Sequence, residues 1–390
     1  MRPPLRVLFI VFNQPGRGTY WRAFHLGRML ATRRHRVTLM ATAPRARWRV
    51  TGVEVEGVHL VEMPDLLARS LRSGWDMWAV ARRLVWLRER RFDIVHAFEA
   101  RPTVVYPGLA AQRAGAKLIM DWCDWLGRGG SVEERPNPLV RAVLRRAETY
   151  FEERFRTRAA GTTVINRFLG RRAEALGVPR DSILLLRNGC DTNVPPMDPQ
   201  TAKRAAGLPE GGPVVGYIGS IYPRDAELMA RAFRRVRRVR PDARLLLVGH
   251  FNRDIERLLG GADGLIRVGP VATEMIAPYL SAAEVCWLPL CDSGANRGRW
   301  PMKLSDYMAV GRPTVTTNVG ELAEVVEGHG MGVVTRPDPH DFAAATVALL
   351  GDEERQRAMG QAARRAAEGE FSWERLTEGL EQHYSRAMGG

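Results

Sequence analysis

The sequence predicts an α/β protein made of two Rossmann-like, doubly wound parallel-sheet domains facing across a cleft. Three observations carry this. Short continuous apolar runs, the mark of strands buried on both faces, alternate with helix-like stretches. The order strand, turn, helix, strand opens near Arg6 and restarts near Pro213. A proline-rich stretch, Asn193-Val194-Pro195-Pro196-Met197-Asp198-Pro199, breaks the pattern between them, and 390 residues exceed what one hydrophobic core serves.

The first strand is Arg6-Val7-Leu8-Phe9-Ile10-Val11-Phe12. The turn after it holds Gly16 and Gly18, and a helix follows from about Thr19 to Thr32 with Trp21, Phe24, Leu26, Met29 and Leu30 on its apolar face. Later strands of this half are Val37–Met40, Gly57–Val61, Asp93–Ala97 and Lys117–Met120. The second half opens with Pro213–Gly219, continues through a basic helix from about Ala226 to Arg240, and adds strands at Arg244–Gly249, Ile266–Val268, Val285–Pro289 and Pro313–Thr316. The domains are expected at 1–192 and 200–370, and ligands in such sheets bind outside the carboxyl ends of the strands.

Composition narrows the class. No run approaches the roughly 20 apolar residues of a membrane span, and the run Val7–Phe12 reads as a strand, not a signal peptide. Cys123, Cys190, Cys286 and Cys291 lack the close spacing of a zinc or redox motif, so they read as reduced thiols of a cytoplasmic protein. The net charge of +15 comes from arginine, because only Lys117, Lys203 and Lys303 are lysines. Codon bias accounts for that excess, and no nucleic-acid-binding motif accompanies it. The basic stretch Ala68 to Arg91 carries Trp75, Trp78 and Trp86, which suits an anionic membrane surface or a solvated helix with buried tryptophans.

Chemistry concentrates in Asp292–Gly320. A loop rich in glycine, with Asp292 and Asn296, leads into a helix from about Pro301, with Gly311 ending it. Lys303 and Asp306 share a face of that helix. A lysine at a helix N-terminus suits a diphosphate, and a carboxylate one turn on suits ribose hydroxyls; an exposed ion pair is the alternative. In the first half, Gly16 and Gly18 fit an anion-approaching turn or a structural one, since the third small residue of a dinucleotide fingerprint is missing. Asp121 and Asp124 bracket Trp122 at the end of a strand, where carboxylates orient a hydroxyl, accept its proton, or cap the next helix.

The run Pro301-Met302-Lys303-Leu304-Ser305-Asp306-Tyr307-Met308-Ala309-Val310-Gly311-Arg312-Pro313 resembles the signature of family-4 glycosyltransferases of GT-B fold. Further resemblances run along the chain: Asp93-Ile94-Val95-His96-Ala97, Asn188-Gly189-Cys190-Asp191, Gly216-Tyr217-Ile218-Gly219-Ser220, Leu247-Val248-Gly249, Thr317–Leu322 and Phe371-Ser372-Trp373-Glu374. The resemblance implies transfer of a sugar, with retention, from a nucleoside-diphosphate sugar to an acceptor hydroxyl in glycan, polysaccharide or glycolipid synthesis, without metal or other cofactor. It implies a donor site of Lys303, Asp306, Leu304, Gly219 and Ser220. It places Gly16, Gly18, His96 and Trp122 toward the acceptor with Asp121 and Asp124 as catalytic candidates, and returns residues 371–390 to the first domain as a helix.

The chain departs from that family at three places. The first of two usual glutamates maps to Gly298, leaving Asp292 or Asn296 to replace it. The usual arginine maps to Ser220, so positive charge falls to Arg224 or Lys303, and the usual histidine maps to Cys123. The expected partners are a sugar-nucleotide donor, a glycan or lipid-linked acceptor and an anionic membrane surface, with no nucleic acid. The expected location is cytoplasmic, at the inner face of the membrane. The rivals are a non-catalytic sugar-nucleotide-binding partner and a GT-B enzyme of another family.

Overall fold

The structure is a computed structural model that describes residues 3–66, 74–251, 257–258 and 264–389. The chain forms two compact units, Met1–Arg187 with Trp373–Gly390, and Asn188–Ser372. The Asn188–Asp191 segment therefore lies with the second unit, where the Cys190 amide donates to the Phe371 carbonyl.

The first unit holds an eight-stranded sheet. Its strands are β1 (Arg6–Ile10), β2 (Arg36–Thr42), β3 (Thr51–Val55), β4 (Val58–Met63), β5 (Ile94–Phe98), β6 (Lys117–Trp122), β7 (Gly161–Val164) and β8 (Ile183–Leu185), in the order β3-β4-β2-β1-β5-β6-β7-β8. Only β3 runs antiparallel, against β4. Four of the five β1 side chains are wholly buried, as a strand covered on both faces requires. Helices α1 (Tyr20–Thr32), α2 (Met77–Leu87), α3 (Pro102–Arg113), α4 (Pro138–Arg154) and α5 (Arg167–Ala175) accompany the sheet. The chain leaves β1 toward β2 on one side and later places β5 on the other, so the turns after β1 and β5 meet at a topological switch point.

The second unit has six parallel strands, β9 (Val214–Ile218), β10 (Arg244–Val248), β11 (Leu265–Val268), β12 (Val285–Leu288), β13 (Thr314–Thr317) and β14 (Gly332–Thr335), ordered β11-β10-β9-β12-β13-β14. Its switch point lies after β9. The helices are α6 (Pro199–Ala205), α7 (Pro223–Val239), α8 (Thr273–Ser281), α9 (Gly294–Arg297), α10 (Met302–Ala309), α11 (Glu321–Gly328), α12 (Pro339–Leu350) and α13 (Glu353–Glu368). The core gathers Tyr217, Phe233, Leu245, Trp287 and Phe342 between sheet and helices. A last helix, α14 (Trp373–Ala387), belongs to the first unit. There Glu381 holds His35 and Arg33, Tyr384 meets His96, and Trp373 stacks on His25 at 5.1 Å.

The basic stretch expected to meet a membrane lies partly outside the described residues, at 67–73. Its tryptophans are half-buried: Trp75 packs edge-on to Phe151 and Trp86 stacks with Phe92. Among the described residues no helix is long and apolar enough to cross a membrane.

Candidate active site

Helix α10 begins at Met302, with Pro301 as its N-cap instead of its first helical residue. Its inward face fixes it: Leu304, Tyr307 and Met308 are wholly buried, and the Tyr307 hydroxyl donates to the Trp287 carbonyl at 3.0 Å. The opposite face carries Lys303 and Asp306, both half-buried. Gly219, at φ +75°, follows β9 directly beside Lys303: a Cβ there would lie 3.6 Å from the Lys303 ammonium, and Gly249 closes from the neighbouring strand. The ammonium also sits 5.3 Å from the centre of the Tyr217 ring.

Lys303 and Asp306 make no ion pair with each other, and neither side chain has a hydrogen-bond partner among the described residues. Burial drives the Lys303 ammonium down to about 7, and nearby Arg299 adds to this against Asp306 and Asp225. Burial likewise pushes the Asp306 carboxyl up to about 7, opposed by Lys303 and supported by Asp191. Two ionisable groups held near neutrality on one ordered surface, with hydrogen-bonding capacity unused, mark a ligand site more than a structural ion pair.

The loop between β12 and α10 is held by Asp225, which is buried. It accepts from the Cys291 amide at 2.7 Å, the Asn296 side-chain amide at 3.0 Å and Arg299 at 3.2 Å. Burial raises its carboxyl, with Arg299 opposing. Arg299 lies 4.7 Å from the centre of the Tyr222 ring, so a second cation is anchored near Lys303. Gly320, at φ +68°, lets the turn before α11 approach the Arg297 backbone, where a Cβ would lie 3.4 Å from the Arg297 Cα.

In the first unit, Gly16 at φ +77° and Gly18 at φ +54° shape the turn after β1. A Cβ on Gly18 would stand 2.6 Å from the Asn13 side-chain amide, so Asn13 would have to shift to admit one. The turn delivers Thr19, whose hydroxyl donates to Glu99 Oε1. Glu99 follows β5 in the left-handed region, at φ +67°. The Cys123 thiol donates to the same oxygen at 3.7 Å, and Asp124 stands beside them, half-buried. Burial, then the Asp124 charge, pushes the Glu99 carboxyl up to about 8, with Arg101 opposing.

Comparison with known proteins decides the family. Residues 17–189 match the family model "Glycosyl transferase 4-like domain" and residues 212–352 match "Glycosyl transferases group 1". The chain belongs to the family-4 glycosyltransferases. A D-inositol 3-phosphate glycosyltransferase of Nocardia farcinica is 30% identical over 230 residues, covering 55% of this chain and 50% of that protein. The chain thus spans about half the length of the curated relatives it matches first. A GDP-mannose-dependent monoacylated alpha-(1-6)-phosphatidylinositol monomannoside mannosyltransferase of Corynebacterium glutamicum is 26% identical, covering 75% of this chain and 76% of its own. Sucrose-phosphate synthase from Thermosynechococcus elongatus shares the fold, with a TM-score of 0.75 at 18% identity over 99% of both chains.

The expected site residues of this transferase-family chain separate cleanly. Lys303 and Gly219 come together, Asp306 lies one turn along the same helix, and exposed Ser220 follows Gly219. Leu304 does not join them, because its side chain is wholly in the core. Asn296 is buried and its amide holds Asp225 and the Cys291 carbonyl, so it positions the loop. Asp292 binds Arg297 through both oxygens at 2.7 Å on the surface. Arg224 is exposed in the first turn of α7. Arg299 takes the place of second cation, and its proximity to buried Asp225 has no signature in the sequence.

Three first-unit expectations are corrected. Asp121 is wholly buried and held by Arg22 at 3.0 and 2.9 Å and by the Thr163 hydroxyl. Burial opposes its ionisation, but Arg22, His96 and the Thr163 hydroxyl together outweigh burial and keep the carboxyl below its usual range. It is a structural ion pair, not a catalytic group. His96 is wholly buried between Tyr384 and Thr163, and burial pushes it down to about 3, so it is a neutral core residue. Trp122 donates to Glu152 at 3.0 Å with Arg156 at 4.0 Å from its ring centre, leaving no face for a sugar. Glu99 was missed: nothing in its spacing announces a left-handed, buried carboxyl.

Proposed function

We propose that the chain transfers a sugar from a nucleoside-diphosphate sugar to an acceptor hydroxyl, with retention as its family implies and without a metal. The observation that carries this is the Lys303–Asp306 face of α10 beside Gly219. Lys303 and Arg299 supply the positive charge that a departing diphosphate needs, and fixed cations act where charge develops in the transition state. Asp306 accepts from the ribose hydroxyls. The acceptor oxygen attacks the anomeric carbon, the bond from that carbon to the diphosphate breaks, and the diphosphate leaves with the electron pair. Asp124, at the half-buried edge of the first-unit cluster, takes the hydroxyl proton. The name of the Corynebacterium relative, a GDP-mannose-dependent mannosyltransferase, supports a sugar-nucleotide donor.

A melting-temperature screen across nucleoside diphosphates and their sugars tests this. A ligand bound only by the folded chain stabilises it by about 2.7 kcal/mol at a hundred times its dissociation constant. The expected result is one base raising the melting temperature of the wild type but not of Asp306→Ala. Equal shifts in both proteins refute the site.

A lipid-linked acceptor draws support from α4, whose outer face exposes Leu139, Val140, Val143 and Tyr150. Its first ten residues contain three arginines and no acid. Such a helix suits the inner, anionic face of a membrane. Sedimentation with anionic vesicles is expected to carry the wild type down and leave Leu139→Glu/Val143→Glu in solution; equal pelleting refutes it.

A further inference from the structure

The second half of α7 and the turn after it carry six arginines between Arg231 and Arg240. Four of them are engaged within the second unit. Arg231 faces Glu227 at 3.7 Å, Arg234 donates to the Leu258 carbonyl at 3.2 Å, Arg237 to the Ala243 carbonyl at 3.2 Å, and Arg240 pairs with Asp242 at 3.1 Å. Arg235 and Arg238 are exposed and have no hydrogen-bond or ion-pair partner among the described residues. These two arginines line an open trough of about 460 Å³ between α7 and α12. Its floor and walls include Val239, Ala344, Val347 and Ala348, with His340 on the rim, and no carboxylate is among its described lining residues. Asp341, next to His340, is bonded to Arg336. Val239 is 62% exposed, in a unit that otherwise buries nearly all its described large apolar side chains.

We propose that this trough seats an acidic amphipathic helix of a partner protein, with aliphatic side chains entering between α7 and α12 and carboxylates meeting Arg235 and Arg238. Arginines three apart on a helix have Cβ atoms about 5–6 Å apart. Carboxylates three or four apart on a second helix have the same spacing, so each guanidinium fork meets one of them. Ala344 and Ala348 face outward one turn apart, and side chains that small let a third helix approach α12 to about 8 Å between axes. The attraction is local. Residues 188–372 hold 22 lysines and arginines against 23 aspartates and glutamates, so the unit as a whole draws no anion. A membrane is met by side chains that protrude, whereas these apolar atoms recede between two helices, so the partner must project into them. Arg235 lies ten residues beyond Asp225, about 15 Å along α7, so a seated helix leaves the Lys303 site open. The proposal does not depend on the transferase reading.

Fluorescence anisotropy of the full chain tests this with a labelled, alanine-rich peptide of about 20 residues that carries leucines at i, i+3, i+4 and i+7 and glutamates beside them. The wild type is expected to bind it. Arg235→Glu/Arg238→Glu is expected to bind it roughly 10- to 100-fold more weakly, and to bind instead the same peptide with lysine for glutamate. Ala344→Trp fills the trough and is expected to lose the acidic peptide while keeping the wild-type melting temperature, because Ala344 is exposed. No binding of the acidic peptide to the wild type, unchanged binding in either variant, or equal binding of both peptides by the wild type overturns the proposal. Sedimentation with vesicles of phosphatidylglycerol and phosphatidylcholine is expected to treat the wild type and Arg235→Glu/Arg238→Glu alike. Pelleting lost through those two substitutions would assign the trough to a lipid surface and overturn the helix as its occupant.

Discussion

Lys303 offers the sharpest quantitative prediction. Its ammonium is half-buried against Gly219 and Tyr217, carries no hydrogen-bond partner among the described residues, and is held at about 7 by burial. Near pH 7 it is thus about half protonated before ligand arrives. A diphosphate against it favours the charged form, so binding should take up about half a proton at that pH. The charge-assisted hydrogen bond that forms is worth about 1.5–3 kcal/mol, or a factor of about 10 to 150 in affinity. Lys303→Met keeps the packing and removes the charge. Isothermal titration with UDP and with GDP, in two buffers of different ionisation heat, reads both quantities at once. The wild type should take up about half a proton more than the variant at pH 7, a difference that fades at pH 5.5, where the lysine is already charged. The variant should bind 10- to 150-fold more weakly with no uptake from this group. Equal affinity in the two proteins, or equal proton uptake by them, refutes the assignment.

Other outcomes follow from the same geometry. Asp306→Asn should abolish discrimination between ribo- and 2′-deoxyribonucleotides, read by competition binding. The same change should raise stability above neutrality: a carboxyl at about 7 in the folded chain contributes fully below its unfolded value and loses that contribution as pH rises through 7, so the wild type carries a penalty there that the amide lacks. Thermal melts between pH 4 and 9 check the sign. Gly219→Ala should cost about 1–2 kcal/mol, because φ is +75° there, and should weaken nucleotide binding. Arg22→Ala should destabilise by about 3–5 kcal/mol by stranding buried Asp121, seen in urea denaturation.

Most of the parallel core was legible because continuous apolar runs such as Val7–Ile10 and Leu245–Val248 leave little choice but a doubly covered strand. The strands that escaped have no such signal. β3 is an exposed edge, β7 reads Gly-Thr-Thr-Val with Thr162 and Thr163 buried, β8 is three residues long, and β14 is a four-residue, half-buried edge strand. Lys303 and Asp306 were legible because helical spacing puts them on one face. His96 and Asp121 misled for the opposite reason. A polar residue inside an apolar strand looks functional until its partners on other elements are known, and Thr163, Arg22 and Tyr384 come from a neighbouring strand and two helices. Glu99 was hidden because its role depends on a backbone conformation and on Thr19 and Cys123, brought together by the crossing order of β1, β5 and β6.

The central claim is that the second unit binds a nucleoside diphosphate on α10. The most direct measurement is a crystal structure of the chain grown with the diphosphate that gives the largest melting shift. Phosphate density is expected within hydrogen-bond distance of the Lys303 ammonium and the Gly219–Ser220 backbone, with ribose hydroxyls on the Asp306 carboxylate. Nucleotide density elsewhere, with Lys303 and Asp306 untouched, would contradict it.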